Sequence, residues 1–187
     1  MTLEIALASR EETADVFTVL DDAAAYLRHI GVTQQWPPSF SADTTRARLV
    51  PELIAAGQIF VARRVALAVG VFCLGEHPEL GGLDDGVWDG VSGAAFYLGL
   101  FAVVRTAAGQ GVAQTMLDWA YSRAADASRV LRLDCWAGNE RLKQYYLEFG
   151  FAARGDADVT SSLDGRTYSV SRFERGPDVL YGRFEAI

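Results

Sequence analysis

The chain lacks the residue patterns that would place it in several large classes. Only Cys73 and Cys135 are cysteine among its 187 residues. Both lie in apolar runs that read as buried strands. Two cysteines without a secretory signal argue against a disulfide framework and against a cysteine-based metal site, so both are expected as free thiols and no metal is expected. No uninterrupted apolar stretch opens the chain. Met1 to Leu20 is broken by Glu4, Arg10, Glu11, Glu12 and Asp15, unlike a signal peptide or a membrane span. The expected address is therefore cytoplasmic, with no membrane partner. No block of like charge and no low-complexity tract marks disorder, and no repeat of fixed period emerges. Cations are also short: 17 Lys and Arg face 24 Asp and Glu, a net charge of -7. That balance opposes nucleic-acid binding, whose affinity comes largely from neutralising phosphates, and suits a small cationic substrate better.

The length fits one globular domain, residues 1–187, able to bury a sizeable core. A first strand is read over 3–8. The capping-box pattern Ser9-x-x-Glu12 then opens a helix whose Val16, Leu20, Leu27 and Ile30 keep helical spacing up to Gly31. Pro37 and Pro38 exclude regular helix from the next segment and leave Trp36 and Phe40 on a structured loop. A second helical stretch runs to about Ala56, and Pro51 implies either a kink or two short helices. Residues 58–63 and 65–74 read as neighbouring antiparallel strands, although Arg63-Arg64 is a poor hairpin signal. Gly75 to Gly93 reads as a flexible acidic rim. Gly81, Gly82, Gly86 and Gly90 supply turns, while Glu76, Glu79, Asp84, Asp85 and Asp89 meet no Lys or Arg within the run.

Residues 95–104 (AFYLGLFAVV) form a strongly apolar strand, followed by the turn Ala108-Gly109-Gln110-Gly111-Val112-Ala113 and a helix with Ala113, Leu117, Ala120 and Ala124 on one face. Two glycines at a strand-to-helix junction let backbone amides turn toward an anion, and the helix adds its positive end. Phosphate binding is physically reasonable there, although such glycines also simply make tight turns. No Lys-Ser or Lys-Thr follows, as a nucleotide triphosphatase loop needs. A third Gly with a downstream acidic ribose ligand is missing too.

A further strand is read over 130–136, a helix over 139–149, and two more strands starting at Phe151 and Arg166. Within LDCWAGNERLKQYYLEFGF, residues 133–151, the strand is followed by Asn139, by Tyr146 and by Gly150-Phe151. Taken singly these have plain structural readings: Asn139 caps the helix, Gly150 ends it, and Tyr145 or Tyr146 fills its apolar face with Leu142 and Phe149.

Together and in order, the glycine turn and the Asn, Tyr and Gly-Phe positions resemble the GNAT superfamily of acyl-CoA-dependent N-acetyltransferases, over about Phe96 to Phe151. The resemblance implies an α/β fold of the α+β type: a central mixed, mostly antiparallel six- or seven-stranded sheet flanked by helices, splayed where acetyl-CoA enters. It implies that backbone of Phe101 and Val103 pairs with the pantetheine arm and that amides from Gly109 to Gln114 (Gly109, Gln110, Gly111, Val112, Ala113, Gln114) hold the pyrophosphate. Ala108 departs from the pattern, standing where the family usually has Arg or Gln. Asn139 is assigned to the pantetheine region, and Tyr146 to the cofactor sulfur, where its hydroxyl can protonate the departing thiolate. Tyr145, about 100° round the helix from Tyr146, cannot meet the same sulfur and is read as packing.

Direct transfer of an acetyl group needs a neutral amine, hence a proton acceptor near the nitrogen. Asp134, on the strand before Asn139, stands where some relatives carry a catalytic Glu. It is a candidate base, directly or through water, or else a structural partner of Arg132 or another cation. Glu76 and His77 are further candidates, and His29 is read as a helix-end cap. The acceptor is expected to be a primary amine of a small, cationic molecule or a peptide, recognised through the loop carrying Gln34, Gln35, Trp36 and Phe40. Trp36 reads equally as a core anchor. Two rival readings stand beside transfer: a CoA-sensing module, and a structural module, for instance a homodimer subunit using the C-terminal GPDVLYGRFEAI.

Overall fold

The structure is a computed structural model that describes residues 2–77, 85–161 and 165–176. Strand β1 (Glu4–Leu7) leads into a 3-10 turn (Arg10–Glu12) and helix α1 (Thr13–His29). The amide of Ser9 donates to Glu12 Oε2 at 2.8 Å, so the reach-back half of the capping box forms as the sequence pattern predicts. Helix α2 (Arg46–Ala55) is continuous through Pro51. The proline is the sixth of the ten helical residues, and its missing donor costs the one bond to the carbonyl of Ala47.

Strands β2 (Ile59–Arg64) and β3 (Leu67–Gly75) pair antiparallel through a two-residue turn, Val65 and Ala66, at φ 50° and 65°. Two successive left-handed residues match the twist of a hairpin, but Val and Ala are not the residue types that favour this geometry. That is why the junction carries no turn signal. Strands β4 (Ala95–Val103), β5 (Val130–Trp136), β6 (Ala152–Thr160) and β7 (Thr167–Arg175) complete the sheet, with α3 (Val112–Asp126) between β4 and β5 and α4 (Glu140–Glu148) between β5 and β6.

The seven strands form one open sheet in the order β1-β2-β3-β4-β5-β7-β6. Every pairing is antiparallel except β4 with β5. The α3 helix is the crossover that a parallel pair requires. Both faces are covered. Val16, Val19 and Leu20 of α1 and Val50 and Ile54 of α2 pack on Val71 and Cys73. Met116, Leu117 and Ala120 of α3 and Tyr146 of α4 pack on Phe72, Leu133 and Cys135 from the other side. Burial on both faces explains why β3 and β4 read as near-continuous apolar runs. Cys73 and Cys135 are buried free thiols, each pushed up to about 12 by desolvation.

The acidic run departs from its reading as a rim. Asp85–Trp88 forms a short 3-10 turn, and Val87 and Trp88 are buried against Val159 and Val170, with the Trp88 ring 5.9 Å from that of Tyr97. The apolar area of an indole outweighs the acidic residues flanking it. Glu76 is ion-paired to Arg129 at 3.0 Å, a partner from a distant part of the chain. Glu79, Asp84 and the C-terminal segment after Gly176 lie outside the described residues. Among the described residues no helix is long and apolar enough to cross a membrane.

Candidate active site

The centre of the sheet is split. Parallel pairing of β4 with β5 runs only from Ala95 and Val130 to Leu98 and Leu133. Beyond that point β5 continues to Trp136 against β7, while β4 stays with β3. The divergence has a local cause. Cys73 faces Gly99 and Val71 faces Ala102, so β4 spends one more residue than β3, and Leu100 takes φ 48°. An extra residue bends the bulged strand away from its neighbour. Among the described residues the stretch of β4 holding Phe101 and Val103 therefore has no partner on its β5 side, which leaves its backbone able to pair with an extended ligand.

A cavity of about 550 Å³ opens at this fork. Leu98, Gly99 and Leu100 of β4 and Asp134, Cys135 and Trp136 of β5 form its floor. Gln34, Gln35, Trp36 and Phe40 of the α1–α2 loop form one wall, and Tyr168 and Val170 of β7 stand on the other. The loop is held in place by Asp21 on α1, whose Oδ1 accepts from the Phe40 amide at 2.5 Å and from Ser39 Oγ at 3.1 Å. Trp36 meets Phe40 edge to face, 5.1 Å between ring centres, so it both anchors the loop and faces the cavity.

Asp134 sits at the bottom of this cavity, and desolvation pushes its carboxyl up from 3.8 to about 6. Among the described residues no ion pair or hydrogen bond engages it. The structural alternative, a pair with Arg132, does not form. Arg132 is buried and committed to Glu174 at 2.8 Å, to the Tyr97 hydroxyl at 3.1 Å and to the Ser92 carbonyl at 2.5 Å. The other carboxylate on the cavity wall, Asp43, is neutralised by Arg46 at 3.2 Å and accepts the Arg46 amide at 2.9 Å. Asp134 is thus a poised, uncompensated carboxyl facing space that a substrate could fill. Glu76 and His77 do not line the cavity and are exposed.

Tyr146 lies on the opposite face of β5, in the core with Leu133 and Cys135, its ring 5.9 Å from Phe151 and 5.5 Å from Phe173. Burial raises its phenol well above the ordinary value, and negative charge at Cys135 and Asp134 would add to the rise. It stays protonated at neutral pH. Tyr145 packs beside it on Phe149 at 4.9 Å, the packing role that helical geometry predicts. Base and acid candidates therefore approach the fork from its two faces.

At the rim, Gly109 and Gly111 adopt φ 73° and 77°, and Gly111 is the N-cap of α3. These left-handed glycines turn the chain so that the amides of Gly109, Gly111, Val112, Ala113 and Gln114 have no backbone acceptor among the described residues. Such a cluster at a helix N-terminus is chemically an anion cradle. Ala108, in extended conformation, contributes no polar side chain. Gln110 is engaged on both ends of its amide, accepting from Arg64 Nη1 and donating from Nε2 to the Thr106 carbonyl at 2.8 Å. Asn139 caps α4 by accepting the Leu142 amide at 3.2 Å and also donates from Nδ2 to Gln35 Oε1 at 2.8 Å. Tyr168, Trp136 and Arg64 carry no site signal in the sequence: Tyr168 and Arg64 lie outside the two motifs, and Trp136, within 133–151, holds none of the matched positions.

Comparison with known proteins agrees with this architecture. The model of the acetyltransferase (GNAT) family matches residues 21–151. By sequence search, no curated protein matches. Among solved structures, a GNAT-family acetyltransferase from Listeria monocytogenes superposes with TM-score 0.72 at 20% identity, covering 93% of this chain and 94% of that one. RimL, a ribosomal alpha-N-protein acetyltransferase solved in complex with coenzyme A, gives TM-score 0.67 at 17% identity over 95% and 96%. An agmatine N-acetyltransferase gives 0.64 at 14% identity over 93% and 99%. At these identities the likeness is one of fold. With the family model spanning the split sheet, the glycine turn and α4, this chain belongs to the GNAT family of acetyltransferases.

Proposed function

We propose that the protein transfers the acetyl group of acetyl-CoA to a primary amine of a small, cationic molecule or a peptide, by direct attack. The observation that carries this reading is Asp134, an uncompensated carboxyl at about 6 on the floor of a 550 Å³ cavity where the sheet divides. An amine arrives as its ammonium ion, and near neutral pH Asp134 is mostly carboxylate and accepts one proton, directly or through water. The freed nitrogen lone pair attacks the thioester carbon. As the C–S bond breaks, the Tyr146 hydroxyl protonates the departing thiolate, and the proton lost by the nitrogen restores the phenol. Acetyl-CoA would lie along the unpaired edge of β4 at Phe101 and Val103, with its diphosphate on the amides from Gly109 to Gln114. No metal has a part in this scheme.

Because Asp43 is already paired with Arg46, Asp134 is the carboxylate of the lining left for an acceptor ammonium, with the Arg166 cation also on the wall. Solved neighbours of the same fold include enzymes named for a protein N-terminal and for an agmatine acceptor, which is consistent with either kind of amine. The test is a thiol-release assay with acetyl-CoA and a panel of polyamines, amino acids, aminoglycosides and short peptides. Acceptor-dependent release of CoA supports the reading. CoA binding by calorimetry without release for any amine would instead make the protein a CoA-binding module. Absence of both binding and release would leave a structural role, and a homodimer would then be sought by sedimentation.

A further inference from the structure

The glycine turn is met by a cation from elsewhere in the chain. Position 108 is Ala, so the turn has no basic or amide side chain at the place where the family pattern has one. Arg64 comes instead from the end of β2, 46 residues before Gln110. The left-handed pair Val65 and Ala66 closes the hairpin beside it. Its Nη1 donates to Gln110 Oε1, which binds the guanidinium to the residue between the two turn glycines.

The state of that guanidinium is unusual. Its neighbour Arg63 is ion-paired with Glu12, which accepts from Arg63 Nε at 2.7 Å. Arg64 has no carboxylate at ion-pair distance among the described residues. Its Nε is buried without an acceptor. In a chain of net charge -7, a partly buried arginine left with one neutral acceptor is costly, because buried donors and charges call for partners. Beside it stand the amides of Gly109, Gly111, Val112 and Ala113, equally without backbone acceptors. Both sets of donors call for the same chemistry, a phosphate oxyanion, and arginine is the side chain whose planar fork suits it.

We infer that Arg64 is the cation of the cofactor site and pairs with a phosphate of acyl-CoA, replacing the side chain absent at position 108. This rests on the reading that the chain uses acyl-CoA. Two phosphate sources exist on that cofactor, the diphosphate and the 3'-phosphate.

Calorimetry with CoA and 3'-dephospho-CoA, and turnover with acetyl-CoA and phosphate-free S-acetylpantetheine, separate the possibilities for wild type, Arg64→Ala and Arg64→Gln. The glutamine variant keeps a donor for Gln110 and serves if the alanine variant does not fold. The expected result is CoA binding weakened about tenfold or more in both variants. The loss should shrink in 1 M salt, and kcat/KM for S-acetylpantetheine should stay within about twofold of wild type. A loss that persists with dephospho-CoA assigns the diphosphate, and one that disappears assigns the 3'-phosphate. Wild-type binding of CoA with unchanged affinity in the variants overturns the inference, as does equal loss with the phosphate-free donor, which would mark a structural arginine. Failure of wild type to bind CoA at all overturns the acyl-CoA reading and the inference with it.

Discussion

Asn139 Nδ2 donates to Gln35 Oε1 at 2.8 Å, joining residues 104 positions apart. One partner is buried at the start of α4, and the other lines the cavity at the fork. The bond therefore fixes the α1–α2 loop to the element that carries Tyr146. Gln35→Ala is expected to raise the acceptor KM about fivefold or more while leaving CoA affinity within about twofold, since one neutral hydrogen bond contributes about 1 kcal/mol. Steady-state kinetics with calorimetry reads the split. A change confined to CoA affinity would contradict this placement.

Asp134 should govern the acid side of the pH profile. With rates referred to the ammonium form, the species that binds, log(kcat/KM) should show a limb of unit slope that sets in below about pH 6, following the raised carboxyl. Asp134→Asn should lose at least about 100-fold in kcat/KM and lose that limb. If the limb survives in Asp134→Asn, the base lies elsewhere.

The same carboxyl costs stability. Its folded value of about 6 exceeds the ordinary 3.8, so between these pH values the folded protein binds more protons than the unfolded chain. Its contribution is most favourable below about pH 4 and is lost as pH rises through 6. The full cost at pH 8 is on the order of 3 kcal/mol, at about 1.4 kcal/mol per pH unit. Asp134→Asn, which cannot ionise, should raise Tm at pH 8 by several degrees relative to wild type and show a smaller gain at pH 4. Calorimetric melts at the two pH values decide, and equal Tm differences at both would refute the coupling.

Tyr146→Phe keeps the ring that packs on Phe151 and Phe173 and removes only the hydroxyl. Turnover should drop by about 100-fold with CoA affinity nearly unchanged. Because burial raises the phenol well above its ordinary value, the wild-type profile should show no basic limb from this group below about pH 10. Full activity of the phenylalanine variant would remove Tyr146 from proton transfer.

Gly111→Ala tests the cradle. Among the described residues no atom lies within 4 Å of the added methyl, so the cost comes from φ 77°. It is expected to be about 1–2 kcal/mol of stability, with weaker CoA binding. Chemical denaturation and calorimetry measure the two effects, and unchanged CoA affinity would argue that these amides hold no phosphate.

The sequence already shows the order of strands and helices, the glycine turn before α3 and the Asn139 cap of α4. Each is written within a few residues, as alternation, helical spacing or a turn-specific residue type, and local backbone sterics suffice to realise it. It also placed Asp134 and Tyr146 on β5 and α4, without saying that they face opposite sides of a split sheet. The tertiary structure alone decided the bulge at Leu100, the hairpin through Val65 and Ala66, the burial of Trp88 and the pairing of Arg132 with Glu174 rather than Asp134. The contacts of Gln35 with Asn139 and of Arg64 with Gln110 belong with these. They join residues dozens of positions apart, and close packing of whole elements chooses such partners, a choice no short window of sequence contains.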